Sequence, residues 1–184
     1  MVNYLWDNLF QKDQRELEID SVLKDNFIFR ILNRVELLFV KDLFHVRTYR
    51  PGETVFTQGE VGVGMYIVIR GTVNITTENL RAHNESERVQ FITRLSKGDF
   101  FGELALVEQA GRYTASATAA EPVTLIGFFK PDLQELTERN PRIATKVVLR
   151  LAEVLGCRLR ETSDRFTEVK KELKELSEKN VKSN

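Results

Sequence analysis

The chain has 184 residues, with 27 Lys and Arg balanced by 27 Asp and Glu, so its formal net charge is zero. That length suits one domain with helical extensions, and the balance supplies no global field to draw the chain to nucleic acid or an anionic membrane. A single cysteine, Cys157, excludes an internal disulfide and agrees with a reducing cytoplasm. No apolar run approaches the ~20 residues of a spanning helix, and Asp7, Lys12, Asp13 and Arg15 break up anything resembling a signal peptide. The expectation is a soluble cytoplasmic protein.

Residues 1–44 read as a helical segment. Tyr4, Leu5, Trp6, Leu9 and Phe10 form a small apolar patch at helical spacing, either packed on the body or open to a partner. From Asp13, the pattern Leu17, Ile19, Val22, Leu23 predicts a helix ending near Asn26. A second helix is predicted over 33–44, with Val35, Leu37, Leu38, Val40 and Leu43 as its buried stripe.

At His45 the period changes from helical to two. His45–Tyr49, Val55-Phe56, Met65–Ile69, Thr72–Thr76, Val89–Leu95, Ala115–Ala119 and Val123–Phe129 read as short strands, punctuated by glycines and by the Pro51-Gly52 turn. The polar run 78–87 is expected to form a hairpin tip. The fold class is α+β: an antiparallel jelly roll of about eight strands over 45–130, flanked by helices.

The segment 131–184 reads as C-terminal helices. Pro131 stands at a favoured first-turn position, Asn140-Pro141 breaks the helix, and a longer one runs on from Arg142. Beyond Leu155 a four-three spacing appears through Leu159, Thr162, Phe166, Val169, Leu173 and Leu176. Such a seam belongs either to a helix lying back on the roll or to a coiled coil. The second is preferred, which predicts a homodimer through Leu159, Phe166, Val169, Leu173 and Leu176.

The most informative stretch is Gly98-Asp99-Phe100-Phe101-Gly102-Glu103-Leu104-Ala105-Leu106, followed by Gly111-Arg112-Tyr113-Thr114-Ala115-Ser116. A glycine admits close backbone approach, a helix start offers N–H groups to an anion, and an arginine can pair with a phosphate. Together with Pro51-Gly52-Glu53, Gly59-Glu60, Gly64–Val68 and Gly71, this stretch resembles the cyclic-nucleotide-binding domain family, of the catabolite activator and kinase regulatory-subunit type, over about residues 20–165. The resemblance implies a non-enzymatic cyclic-nucleotide sensor, with cyclic AMP ahead of cyclic GMP. Gly102, Glu103, Leu104 and Ala105 match the phosphate-binding cassette, Glu103 taking the ribose hydroxyls or, alternatively, capping the short helix.

Which residue meets the phosphate stays open at this stage. Counted nine positions on from Glu103, it is Arg112; counted back from the strand Ala115–Ala119, it is Tyr113, with Thr114 beside it leaning towards guanine. A one-residue shift turns a side chain to the opposite face, so the registers exclude one another. Under the second, a phenol without formal charge replaces a guanidinium. The alternative function is then a degenerate domain that binds no nucleotide and acts as a dimeric interaction scaffold. Thr162-Ser163 resembles the pair that caps the purine in some relatives, or is merely a polar step in the seam. Past the long helix only a short polar tail remains, which speaks against a DNA-binding module. His45 and His83 are the only histidines, so no metal set or other cofactor site is read and no catalytic constellation forms. The downstream protein partner is not legible.

Overall fold

The alternation from His45 onward folds as two four-stranded antiparallel sheets. The first has the order β1 (His45–Tyr49), β8 (Val123–Phe129), β3 (Gly64–Arg70), β6 (Phe100–Phe101); the second has β2 (Thr54–Phe56), β7 (Ser116–Ala119), β4 (Val73–Glu78), β5 (Val89–Leu95). This computed structural model describes residues 2–78 and 89–182, and side chains over 14–176 outside 79–88, with 178. The expected hairpin tip and the side chains of the Trp6 patch lie outside the described residues. Eight strands, N-terminal helices and a long C-terminal helix make the expected α+β jelly roll. The strand without a name in the sequence reading is Phe100–Phe101, too short to show a period.

The helices are α1 (Val2–Asp25), α2 (Arg34–Lys41), α3 (Leu104–Val107), α4 (Lys130–Arg139) and α5 (Pro141–Lys182). The first begins well before Asp13, as one continuous helix. Asn33 starts α2 with a capping box: its side chain accepts from the backbone N–H groups of Val35 and Glu36, and Glu36 reaches back to the Asn33 N–H. Its predicted stripe is corrected. Leu37, Val40 and Leu43 are buried, whereas Val35 and Leu38 are exposed, as is Leu17 on α1. In an eight-residue helix, positions 37 and 40 share a face, while 35 and 38 fall more than 90° from it.

Two aromatic groups hold the roll together. Outside the first sheet, Phe29, Phe44 and Phe128 meet edge to face at centroid distances of 5.2, 5.6 and 6.1 Å. Inside the roll, Phe56, Tyr66, Phe101 and Tyr113 pack with Val68 and Leu125. The buried Asn26 ties the end of α1 to the turn before β6: its Nδ2 donates to the Gly98 carbonyl at 3.3 Å, and its Oδ1 accepts from the Ile28 N–H at 3.0 Å.

The chain divides into two compact units, residues 1–147 and 148–184, the second formed by the rest of α5. No helix among the described residues is long and apolar enough to cross a membrane.

Candidate functional site: the cassette after β6

The chain leaves β6 through Gly102, whose φ of +78° is the left-handed conformation that glycine adopts without strain. A Cβ there would sit 3.0 Å from the Gly64 carbonyl oxygen and 3.3 Å from Cε1 of Tyr113. A side chain at this position would press on both that carbonyl and the Tyr113 ring. Glu103 follows in right-handed helical geometry and makes no capping hydrogen bond to α3. The capping role considered for it is therefore not seen. The residue is buried, at 2% exposure, with its carboxyl Oε2 out of contact with solvent. Leu104 is 41% exposed and Ala105 is buried; the Ala105 N–H is spent on the Gly102 carbonyl at 3.0 Å.

The geometry of residues 111–114 separates the two registers. Arg112 pairs with Val61 in an isolated antiparallel bridge, and its exposed side chain donates from Nη1 to the Gly59 carbonyl at 2.5 Å. Tyr113 is held by its backbone to Glu60 (N–H to carbonyl, 3.0 Å) and Gly59 (carbonyl to N–H, 2.8 Å), and its side chain turns inward. Alternation along an extended chain makes these two outcomes one fact. Thr114 is exposed again.

Inside, the Tyr113 ring stacks on Phe56 at 3.6 Å between centroids, with 8° between planes. Its hydroxyl donates to the Gly64 carbonyl at 3.0 Å and accepts from the N–H groups of Val63 and Gly64 at 3.3 and 3.4 Å. Tyr66 and Tyr49 lie in the same core, and burial pushes both phenols up from their ordinary range, so they stay neutral. Among the described residues the buried charged side chains are Glu103 and Asp132, both acidic. Around Tyr113 the inside of the roll presents aromatic surface and phenol hydroxyls.

Phe56, Val63 and Gly64 belong to this site; the sequence placed Phe56 in a strand and Gly64 among the motifs of the resemblance, and singled out none of the three for the site. The detectable signal was parity: with β7 fixed at Ser116–Ala119, residue 113 falls on the inner side. Thr162, considered for purine capping, donates its hydroxyl to the Arg158 carbonyl within its own helix at 2.8 Å. No group of three or more potential metal-ligating side chains occurs among the described residues.

Residues 46–140, more than half of the chain, match the family model described as the cyclic nucleotide-binding domain. The cyclic AMP receptor protein of Thermus thermophilus is 31% identical over 139 residues, covering 76% of this chain and 60% of the relative. The cAMP-dependent protein kinase regulatory subunit of Mycosarcoma maydis is 32% identical over 106 residues, covering 58% of this chain and 19% of the relative. The crystal structure of the Thermus thermophilus catabolite activator protein superposes with a TM-score of 0.68 at 29% identity, over 78% of this chain and 63% of that one. Sheet order, the cassette with its left-handed glycine, and these matches agree: the chain belongs to the cyclic nucleotide-binding domain family.

Proposed function

We propose that this chain is a non-enzymatic, cytoplasmic regulatory module in which Tyr113 occupies the place of the phosphate's partner. On this reading cyclic AMP and cyclic GMP do not bind at signalling concentrations, and the output is contact with a second copy and a downstream protein. The observation that carries it is the exchange of sides: the phenol is inside against Gly102, and the only arginine of the loop is outside on Gly59. An anionic phosphate entering here would meet the ring and neutral hydroxyl of Tyr113 where the resemblance places a guanidinium. Losing one arginine–phosphate contact alone costs about 1.5–3 kcal/mol, a tenfold to hundredfold drop in affinity.

Pairing of two copies is supported by the second unit, where Leu159, Phe166, Val169, Leu173 and Leu176 are all more than half exposed along one helix. A cyclic nucleotide sensor, cyclic AMP ahead of cyclic GMP, is the second reading. It is favoured by the retained Gly102-Glu103 pair at the head of α3, and it requires Tyr113 to leave the core for the ligand.

Calorimetric titration of the full chain with each nucleotide decides between them. The expected result is no saturable heat up to about 1 mM, the range where binding is worth only ~4 kcal/mol. Saturable heat at micromolar nucleotide would overturn the proposal in favour of the sensor. In the Tyr113→Arg variant, a gain of nucleotide affinity is the supporting outcome.

A further inference from the structure

The Tyr113 hydroxyl, which lies beside that of Tyr66, donates to the Gly64 carbonyl and accepts from the N–H groups of two consecutive residues, Val63 and Gly64. Those two residues also carry the start of α4. The Lys130 N–H donates to the Val63 carbonyl at 2.9 Å, and Gly64 is the register partner of Phe129 across β3 and β8. There is no slack in that pairing: a Cβ on Gly64 would lie 2.4 Å from the Phe128 carbonyl oxygen and 2.7 Å from the Phe129 Cα. Phe129 is fixed in turn by its N–H bond to Asp132 Oδ2 at 2.7 Å, in the first turn of α4. On the other side, the Gly64 carbonyl abuts Gly102 at the head of the cassette.

One hydroxyl therefore touches the point where the cassette, the start of β3 and the start of α4 converge. We propose that the Tyr113 hydroxyl is a positioning group that clamps the cassette to the start of α4 through Val63 and Gly64. It is a resident contact, acting continuously where a bound ligand would act only when present. The inference rests on the reading that Tyr113 is the occupant of the cassette. It adds a direction to that reading: the phenol fixes the geometry of the helix start and does not merely fill space.

The test is amide hydrogen exchange of the full chain without nucleotide, comparing wild type with Tyr113→Phe, which keeps the ring and its stack on Phe56. The clamp predicts roughly fivefold faster exchange both at 63–64 and at the amides of 129, 130, 132 and 133, with 34–41 unchanged. Acceleration confined to 63–64, no acceleration, or uniform acceleration that includes 34–41 would each overturn it. A Tyr113→Trp variant, which keeps an aromatic ring but moves the donor, should accelerate the same two segments; protection there equal to wild type would also count against the clamp. The two readings fail separately. Nucleotide heat in wild type with this exchange pattern intact removes the plugged cassette and leaves the coupling. Unchanged exchange with no nucleotide heat removes the coupling alone.

Discussion

The central strand β3 and the helix beyond residue 147 are both rich in apolar side chains, and they dispose of them in opposite ways. In β3 six of seven residues are buried, whereas in the second unit five seam residues from Leu159 to Leu176 stand more than half exposed. The difference is one of layers. A strand in mid-sheet has neighbours on both edges and packed material on both faces, so both parities of its side chains are covered. A single helix has no second layer of its own, and its stripe stays in water until another surface covers it. Strand β5, equally long but at a sheet edge, is exposed along nearly its whole length, so composition alone does not decide burial.

The sharpest way to probe the buried half is Phe128→Ala. Its ring is fully buried between Phe29 and Phe44, so truncation should cost about 3–5 kcal/mol through lost burial and a cavity that the two remaining rigid rings cannot close. Urea unfolding followed by circular dichroism measures it, and a loss below ~1 kcal/mol would mean that the segments on either side of α2 do not brace the roll. Gly64→Ala comes next, at roughly 1–3 kcal/mol, because the new methyl meets backbone atoms that cannot rotate away. A neutral outcome in the same assay would show that β3 and β8 can separate at that point.

How much of this was legible in the sequence follows the same division. Period-two runs from His45 to Phe129 marked seven strands, because half-buried sheets leave an alternating trace. Phe100–Phe101 left none, being two residues long. The cassette was legible as a motif, Gly102-Glu103 before a short apolar helix. The inward residue of the next loop was legible in only one of two counts: from Glu103 it is Arg112, from β7 it is Tyr113, and backbone pairing of Arg112 with Val61 decides for the second. Val35 and Leu38 were misassigned to the core for a related reason: an eight-residue helix offers too few turns for its apolar period to mark one face.

Leu173→Asp combined with Phe166→Asp addresses the exposed half. Charge in the seam should convert a two-chain species into a single chain, as read by sedimentation or light scattering, since a desolvated carboxylate facing its own copy is strongly unfavourable. The unfolding free energy of the roll should change by less than about 0.5 kcal/mol, because both positions are already exposed in one chain. A wild-type chain that is monomeric at all accessible concentrations would break the contrast, leaving the stripe for a different partner.

The smallest effect lies where α5 begins. Lys146 Nζ donates to both carboxyl oxygens of Glu36 at 2.7 and 2.8 Å, and Glu36 also accepts from the Asn33 N–H in the capping box. The Lys146 bond, then the Asn33 bond, hold the Glu36 carboxyl below its ordinary value of 4.5. A carboxylate whose folded value is lowered adds stability above its unfolded value, and that contribution disappears as pH falls through the lowered one. The window therefore opens just below pH 4.5 and extends downward. Both side chains reach the surface, so screening keeps the pair under about 1 kcal/mol. Lys146→Met should lower stability slightly at neutral pH and flatten the acid limb of the stability curve, with the difference from wild type vanishing once Glu36 is protonated. A difference that persists unchanged below pH 3, about a unit and a half under the ordinary carboxyl value, would assign the lysine's contribution to packing of its methylene chain instead.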